Sequence, residues 1–157
     1  MFRLSKKTDY ALLALQYLAG HGASGDVSAR TIAERFEIPL ELLAKILQQL
    51  ARHGLISAHK GVHGGYQLAR SPDEVSIADV IQAIEGLVTM TACSPVDERC
   101  DQFAACTVRD PLWRVRERVL ALLRTVTVAD LTDREETHPV ALTRKGGTGE
   151  PVPVQTR

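Results

Sequence analysis

Residues 28–54, SARTIAERFEIPLELLAKILQQLARHG, decide how this chain is read. Ser28 is placed to cap a short helix in which Ile32 and Phe36 fall one turn apart, and that helix ends near Glu37. Pro39 suits the first turn of a second helix, which runs to about His53 with Leu43, Ile46, Leu47 and Leu50 on its buried face and Gly54 as its stop signal. Two amphipathic helices joined by a tight turn make a helix-turn-helix unit.

On the N-terminal side, Tyr10, Leu13, Ala14, Tyr17 and Leu18 recur at helical spacing, which predicts a helix from Ser5 to about Ala19. On the C-terminal side, Leu55-Ile56-Ser57-Ala58 and Tyr66-Gln67-Leu68-Ala69 read as short strands around a basic, glycine-rich tip, His59-Lys60-Gly61-Val62-His63-Gly64-Gly65. A further helix starts at Ser76, with Asp79 in the capping-box position and Ile77, Val80, Ile81 and Ile84 along one side until Gly86. Helix, turn, helix and hairpin in that order predict a mainly α fold, a winged helix-turn-helix with a small β-hairpin wing, over residues 1–86.

Beyond this head the pattern changes. Residues 87–109 hold every cysteine of the chain and read as a loop. From Asp110-Pro111 to about Val126 a long helix carries Leu112, Val115, Val119, Leu122 and Val126 at steps of three and four, a heptad seam suited to a partner helix. Residues 110–132 are therefore expected to be a dimerisation helix and its following segment. Pro139, Pro151 and Pro153, with Gly146, Gly147 and Gly149 and almost no apolar periodicity, predict a disordered tail over 133–157.

A length of 157 residues suits about one domain, and 45% apolar residues with 4% aromatics exclude wholesale disorder. No apolar run approaches the roughly 20 residues of a bilayer crossing, so the expectation is a cytoplasmic protein without a membrane partner. The net charge of zero conceals a pattern. Residues 1–70 carry nine Lys/Arg against five Asp/Glu, a net of +4, whereas residues 71–108 carry one against seven, a net of −6. A basic head suits a polyanion, here double-stranded DNA.

In such a fold the later helix of the pair lies in the major groove, so its outward residues meet DNA. Off the apolar stripe stand Glu41, Ala44, Lys45, Gln48, Gln49 and Arg52, which offer hydrogen bonds to base edges and charge to phosphates. Lys60 and His63 at the wing tip, and Ser28 and Arg30 at the start of the first helix of the pair, complete the candidate DNA-binding set.

Cys93, Cys100 and Cys106 are the chain's three thiols, and all fall within fourteen residues. An odd count excludes a closed disulfide framework. Structural zinc prefers four ligands with paired short spacings, which this loop lacks, while iron-sulfur clusters accept thiolates at looser spacings. Spacing alone leaves incidental thiols open beside a metal centre.

The runs Leu4-Ser5-Lys6-Lys7-Thr8-Asp9-Tyr10-Ala11-Leu12, Ile38-Pro39 with Leu43-Ala44-Lys45-Ile46-Leu47, and Gly61-Val62-His63-Gly64-Gly65-Tyr66-Gln67-Leu68-Ala69 resemble the Rrf-type winged-helix transcription regulators, the superfamily of IscR, NsrR and RirA. The resemblance continues through Ile77-Ala78-Asp79-Val80, Ala83-Ile84-Glu85-Gly86 and the three cysteines, covering roughly residues 2–132. Within the superfamily the opening run, and Glu85-Gly86 followed by Thr91-Ala92-Cys93-Ser94, look closest to regulators of SUF-type iron-sulfur assembly.

The resemblance implies a homodimer on a palindromic operator, with Cys93, Cys100 and Cys106 holding a 2Fe-2S or 4Fe-4S iron-sulfur cluster. IscR-like members have a histidine three residues after the last cysteine, where this chain has Arg109. NsrR-like members use an aspartate of the other subunit near the start of the first helix; Asp9 matches it, and an external thiol or water stays open as well. Ala44 stands where IscR-like readers carry a base-contacting glutamate, which puts a shared operator sequence in doubt.

The function implied is a DNA-binding regulator that senses iron-sulfur, iron or redox status, not an enzyme, with activation or repression left open. Two alternatives stand beside it. One is an iron-sulfur carrier or redox protein whose winged domain binds protein, which leaves Lys45, Lys60 and His63 unmotivated. The other is a cluster-free regulator switched by thiol oxidation.

Overall fold

The structure, a computed structural model, describes residues 4–22, 25–61, 64–86, 101 and 105–132. Its elements run α1 (Lys6–His21), α2 (Ala29–Phe36), α3 (Leu40–Arg52), β1 (Ile56–His59), β2 (Gly65–Leu68), a 3-10 turn (Pro72–Glu74), α4 (Ile77–Glu85), α5 (Arg109–Thr125) and α6 (Val128–Thr132). The expected mainly helical winged head is present, with element ends within about two residues of those read from sequence.

The helix starts follow from their caps. Ser5 accepts from the Thr8 amide, Ser28 from the Thr31 amide and Ser76 from the Asp79 amide. Asp79 returns the bond to the Ser76 amide at 3.1 Å, closing the expected capping box. Pro39 sits one place earlier than expected, at the cap position, where its ring fixes the backbone as α3 begins at Leu40. Glu37 makes the turn between α2 and α3 in the left-handed region, with φ 53° and ψ 38°, and its amide returns to the Ala33 carbonyl.

A single apolar core joins α1 to α4. Leu15 and Leu18 of α1, Ile32 of α2, Leu43, Ile46, Leu47 and Leu50 of α3, and Val80 of α4 are all fully or nearly fully buried. Each such side chain contributes roughly 1.5–3 kcal/mol by leaving water, so the four of α3 fix that helix by its inner face and leave the outer one free.

The wing is antiparallel, with Ile56 opposite Leu68, Ser57 opposite Gln67, Ala58 opposite Tyr66 and His59 opposite Gly65. It has a third edge that the strand pattern did not suggest. Val27, in the loop before α2, exchanges backbone hydrogen bonds with Tyr66 at 3.0 and 2.8 Å.

Helix α5 packs on α4, and among its described side chains Leu120 is the buried one. Most of the expected heptad seam lies elsewhere on the helix: Leu112, Val115, Leu122 and Val126 are exposed in the single chain, Leu122 to 66%, while Val119 between them is half-buried. After α5 the chain returns to the head. The Ile77 amide donates to the Val126 carbonyl and the Val128 amide to the Val75 carbonyl, both at 2.9 Å. Val128 then buries completely in α6, which packs on α1, and Gln16 donates its side-chain amide to the Leu131 carbonyl. The sequence pattern did not separate α6 from the segment after the long helix. The tail at 133–157 and most of the cysteine segment, 87–100 and 102–104, lie outside the described residues.

Candidate nucleic-acid interface

Glu41, Lys45, Gln48 and Arg52 are all exposed on α3, at steps of four, three and four residues. That spacing keeps them on one stripe, opposite the buried Leu43, Ile46, Leu47 and Leu50. The stripe offers a carboxylate in the first turn, an ammonium and an amide in the middle, and a guanidinium in the last turn. Ala44 is half-buried between the two faces.

Gln49 belongs to the other side. The sequence pattern groups it with the outward residues of α3, but the structure half-buries it, and its side-chain amide donates to the Ile84 carbonyl of α4 at 3.3 Å. Its place next to the stripe in sequence gave no sign of this, because a residue 100° around the helix faces a different neighbour.

Ser28 is engaged locally. Its hydroxyl accepts from the Thr31 amide at 3.1 Å and lies 2.8 Å from the Thr31 hydroxyl, so the cap occupies it. Arg30, one residue into the first turn of α2, is exposed. Lys60 is exposed directly after β1, and His63 lies outside the described residues.

The last turn of α4 gathers contacts that the sequence did not reveal. Glu85 accepts from the Ser5 amide at 2.9 Å and from the Thr8 hydroxyl at 2.6 Å. Those bonds from Ser5 and Thr8 hold its carboxyl below the usual range, partial burial opposing them. They also satisfy the hydroxyl of Thr8, which is fully buried. Within two residues, therefore, the end of α4 is bonded to the start of α1 through Glu85 and to α3 through Ile84, just before the cysteine segment begins.

Of the expected thiols, Cys106 is described: it is half-buried, unbridged, and three residues before α5. Cys93 and Cys100 lie outside the described residues, and no group of three metal-ligating side chains occurs among those that are described. Arg109 points its guanidinium at Asp110 at 2.8 Å, and this hydrogen bond, reinforced by the positive charge, keeps the Asp110 carboxyl below the usual range. Asp9 is exposed in the first turn of α1. No helix among the described residues is long and apolar enough to cross a membrane.

Comparison with known proteins bears on what this arrangement serves. The chain is 32% identical over 155 residues to the HTH-type transcriptional regulator IscR of Serratia proteamaculans, covering 95% of this chain and 93% of that one. Among solved structures it is similar to T. potens IscR, with a TM-score of 0.66 and 27% identity over 92% of this chain and 94% of the other. It is also similar to Staphylococcus aureus CymR in its oxidized form, with a TM-score of 0.66 and 27% identity over 87% of this chain and all of the other. The sequence profile of Rrf2, described as an iron-dependent transcriptional regulator, matches residues 4–134. With a winged head, an exposed polar stripe on its second HTH helix and this match across most of its length, the chain belongs to the Rrf2 family of DNA-binding transcriptional regulators and is not an enzyme.

Proposed function

We propose that this regulator reads a palindromic operator as a homodimer and senses iron-sulfur or redox status through Cys93, Cys100 and Cys106, controlling genes of iron-sulfur cluster assembly of the SUF type. The observation that carries the sensing role is the confinement of every thiol of the chain to one fourteen-residue stretch between α4 and α5. Three thiolates suit an iron-sulfur cluster by donor chemistry, and Cys106 is accessible enough to serve. A bound 2Fe-2S or 4Fe-4S cluster would supply redox and gas-sensitive chemistry at that loop. Asp9 of a second subunit is the candidate fourth ligand, since Arg109 occupies the place of the family's histidine.

The residues of the chain define how the parts would work together. Glu41, Lys45, Gln48 and Arg52 enter the major groove, with Arg30 and the wing residues Lys60 and His63 on flanking backbone. The exposed seam of Leu112, Val115, Leu122 and Val126 packs against its copy in a partner subunit. The cysteine segment leaves α4 directly after Glu85 and Gly86, whose turn is bonded to α1 and α3. A change in the order of that segment reaches the DNA-reading helix through these contacts, and only a difference in stability between two poses alters operator affinity.

Anaerobic purification with iron and sulfide analysis, followed by operator binding of iron-loaded and iron-free protein across a salt series, tests the reading. Visible absorbance, lost in Cys100→Ser, together with two distinct operator affinities supports it. Colourless, iron-free protein that binds as well as reconstituted protein overturns the cluster. A second reading keeps the DNA function and replaces the cluster with thiol oxidation; the accessible Cys106 and the similarity to a chain crystallised in an oxidized form favour it. Iron-free protein whose operator affinity responds to peroxide and dithiothreitol would establish this second reading.

A further inference from the structure

The wing is small. Two strands of four residues each are marginal as an isolated hairpin, so something outside the pair must hold the tip in one orientation. The loop before α2 does so in three ways. Val27 adds two backbone hydrogen bonds to Tyr66. Gly65 lets that loop come close, since a Cβ there would stand 2.6 Å from the Val27 carbonyl oxygen. Asp26 bonds to both strands at once: its Oδ1 accepts from His59 Nδ1 at 2.8 Å and from the side-chain amide of Gln67.

The register explains why one carboxylate serves both. His59 is opposite Gly65 and Ser57 opposite Gln67, so His59 and Gln67 share a face of the hairpin. His59 is the last residue of β1 and Lys60 follows it, which places the bond at the end of the ladder next to the tip. Asp26 is largely covered, with 16% of its side chain exposed against 51% for His59. Its carboxyl stands below the usual range because His59, above all, and then Gln67 hydrogen-bond to it, with burial opposing.

We propose that Asp26 is the positioning residue of the wing, touching no DNA itself but fixing the wing against the start of α2 so that Lys60 meets the operator backbone. The same clamp joins the wing to the helix-turn-helix unit, because Ser28, two residues on, caps α2. Wing and reading helix thereby present to the duplex as one surface, and the ordering cost is met before binding rather than during it. The inference rests on the reading of Lys60 as a DNA contact and deepens it.

The test is a double-mutant cycle in the full chain, using an operator duplex that the chain itself selects from a random-sequence pool. Asp26→Ala and Lys60→Ala are each expected to weaken binding roughly tenfold and to lower the salt slope by about 1, and the pair together no more than either alone. Asp26→Asn, which keeps an acceptor for His59 and Gln67, is expected to restore most of the affinity. Hydrogen exchange of free Asp26→Ala should be faster in β1 and β2 and unchanged in the core helices, which separates a loosened wing from a misfolded head. Additive losses, or full affinity in Asp26→Ala beside a weakened Lys60→Ala, overturn the clamp. If Lys60→Ala binds normally, the contact assigned to Lys60 fails and the clamp's route to DNA fails with it, whereas slowly exchanging wing amides in Asp26→Ala refute the clamp alone.

Discussion

Gln49 of α3 donates its side-chain amide to the carbonyl of Ile84, 3.3 Å away in the last turn of α4. The bond spans the two helices at the point where the chain leaves the head for the cysteine segment. Replacing Gln49 by Leu removes the donor while keeping the bulk, and is expected to cost on the order of 1 kcal/mol in urea unfolding. If the bond helps to relay the state of the loop, the variant also narrows the difference in operator affinity between iron-loaded and iron-free protein. An unchanged difference would remove Gln49 from that route.

Glu85 predicts a pH dependence with a definite sign. Its folded-state pKa is lowered by hydrogen bonds from Ser5 and Thr8, so the carboxylate's contribution is complete above the ordinary glutamate pKa. It is lost as the pH falls through the lower folded value. Stability of the natural chain and of Glu85→Gln, measured in urea at a series of acidic pH values, should therefore converge toward low pH and separate to a constant gap near neutrality. Parallel curves would show that the carboxylate's charge is not what matters in those bonds.

Glu37 holds the turn of the helix-turn-helix with φ 53°, in a region that a side chain makes costly. Glu37→Gly relieves that cost and gives back part of it through the greater freedom of glycine in the unfolded chain. The net expectation is a gain of about 0.5 kcal/mol, seen as a higher urea midpoint with an unchanged slope. A lower midpoint would mean that the Glu37 side chain contributes more than the backbone strain takes away.

Leu122 is 66% exposed in the single chain and adds little to its core. If the seam of α5 is the dimer interface, Leu122→Arg places a charge in the centre of an apolar contact and should give a folded species of half the mass in sedimentation. Operator affinity should fall by far more than any single phosphate contact accounts for, because the two half-sites are no longer bound together. A variant that sediments like the natural chain would move the interface elsewhere.

The head was legible in sequence because its signals are local and redundant. Ser5, Ser28 and Ser76 announce helix starts by cap chemistry, and Leu43, Ile46, Leu47 and Leu50 mark the inner face of α3 by period alone. The outer stripe of α3 follows as its complement. Other features depend on pairs far apart in the chain. Asp26 meets His59 33 residues away, and Thr8 meets Glu85 at a distance of 77. A lone acid before a helix, or a glutamate before a glycine, has no periodicity to betray its partner. Leu120 shows the same limit, since the heptad seam of α5 is visible by its period whereas the side chain of that helix that becomes buried lies off the seam.

The return of the chain from α5 to the head, through Val126 to Ile77 and Val128 to Val75, has a mechanical consequence. A helix of 17 residues is about 25 Å long, and one attached at a single end would swing on a flexible joint. Stitched back at its far end, it behaves as a spoke welded to its wheel, and tilting it by about 10° carries whatever is fixed to that end through about 4 Å. If the chain binds DNA as the proposed homodimer, binding sites with a base pair added or removed at their centre should lose most of their affinity, because neither head could swivel independently to recover the lost alignment.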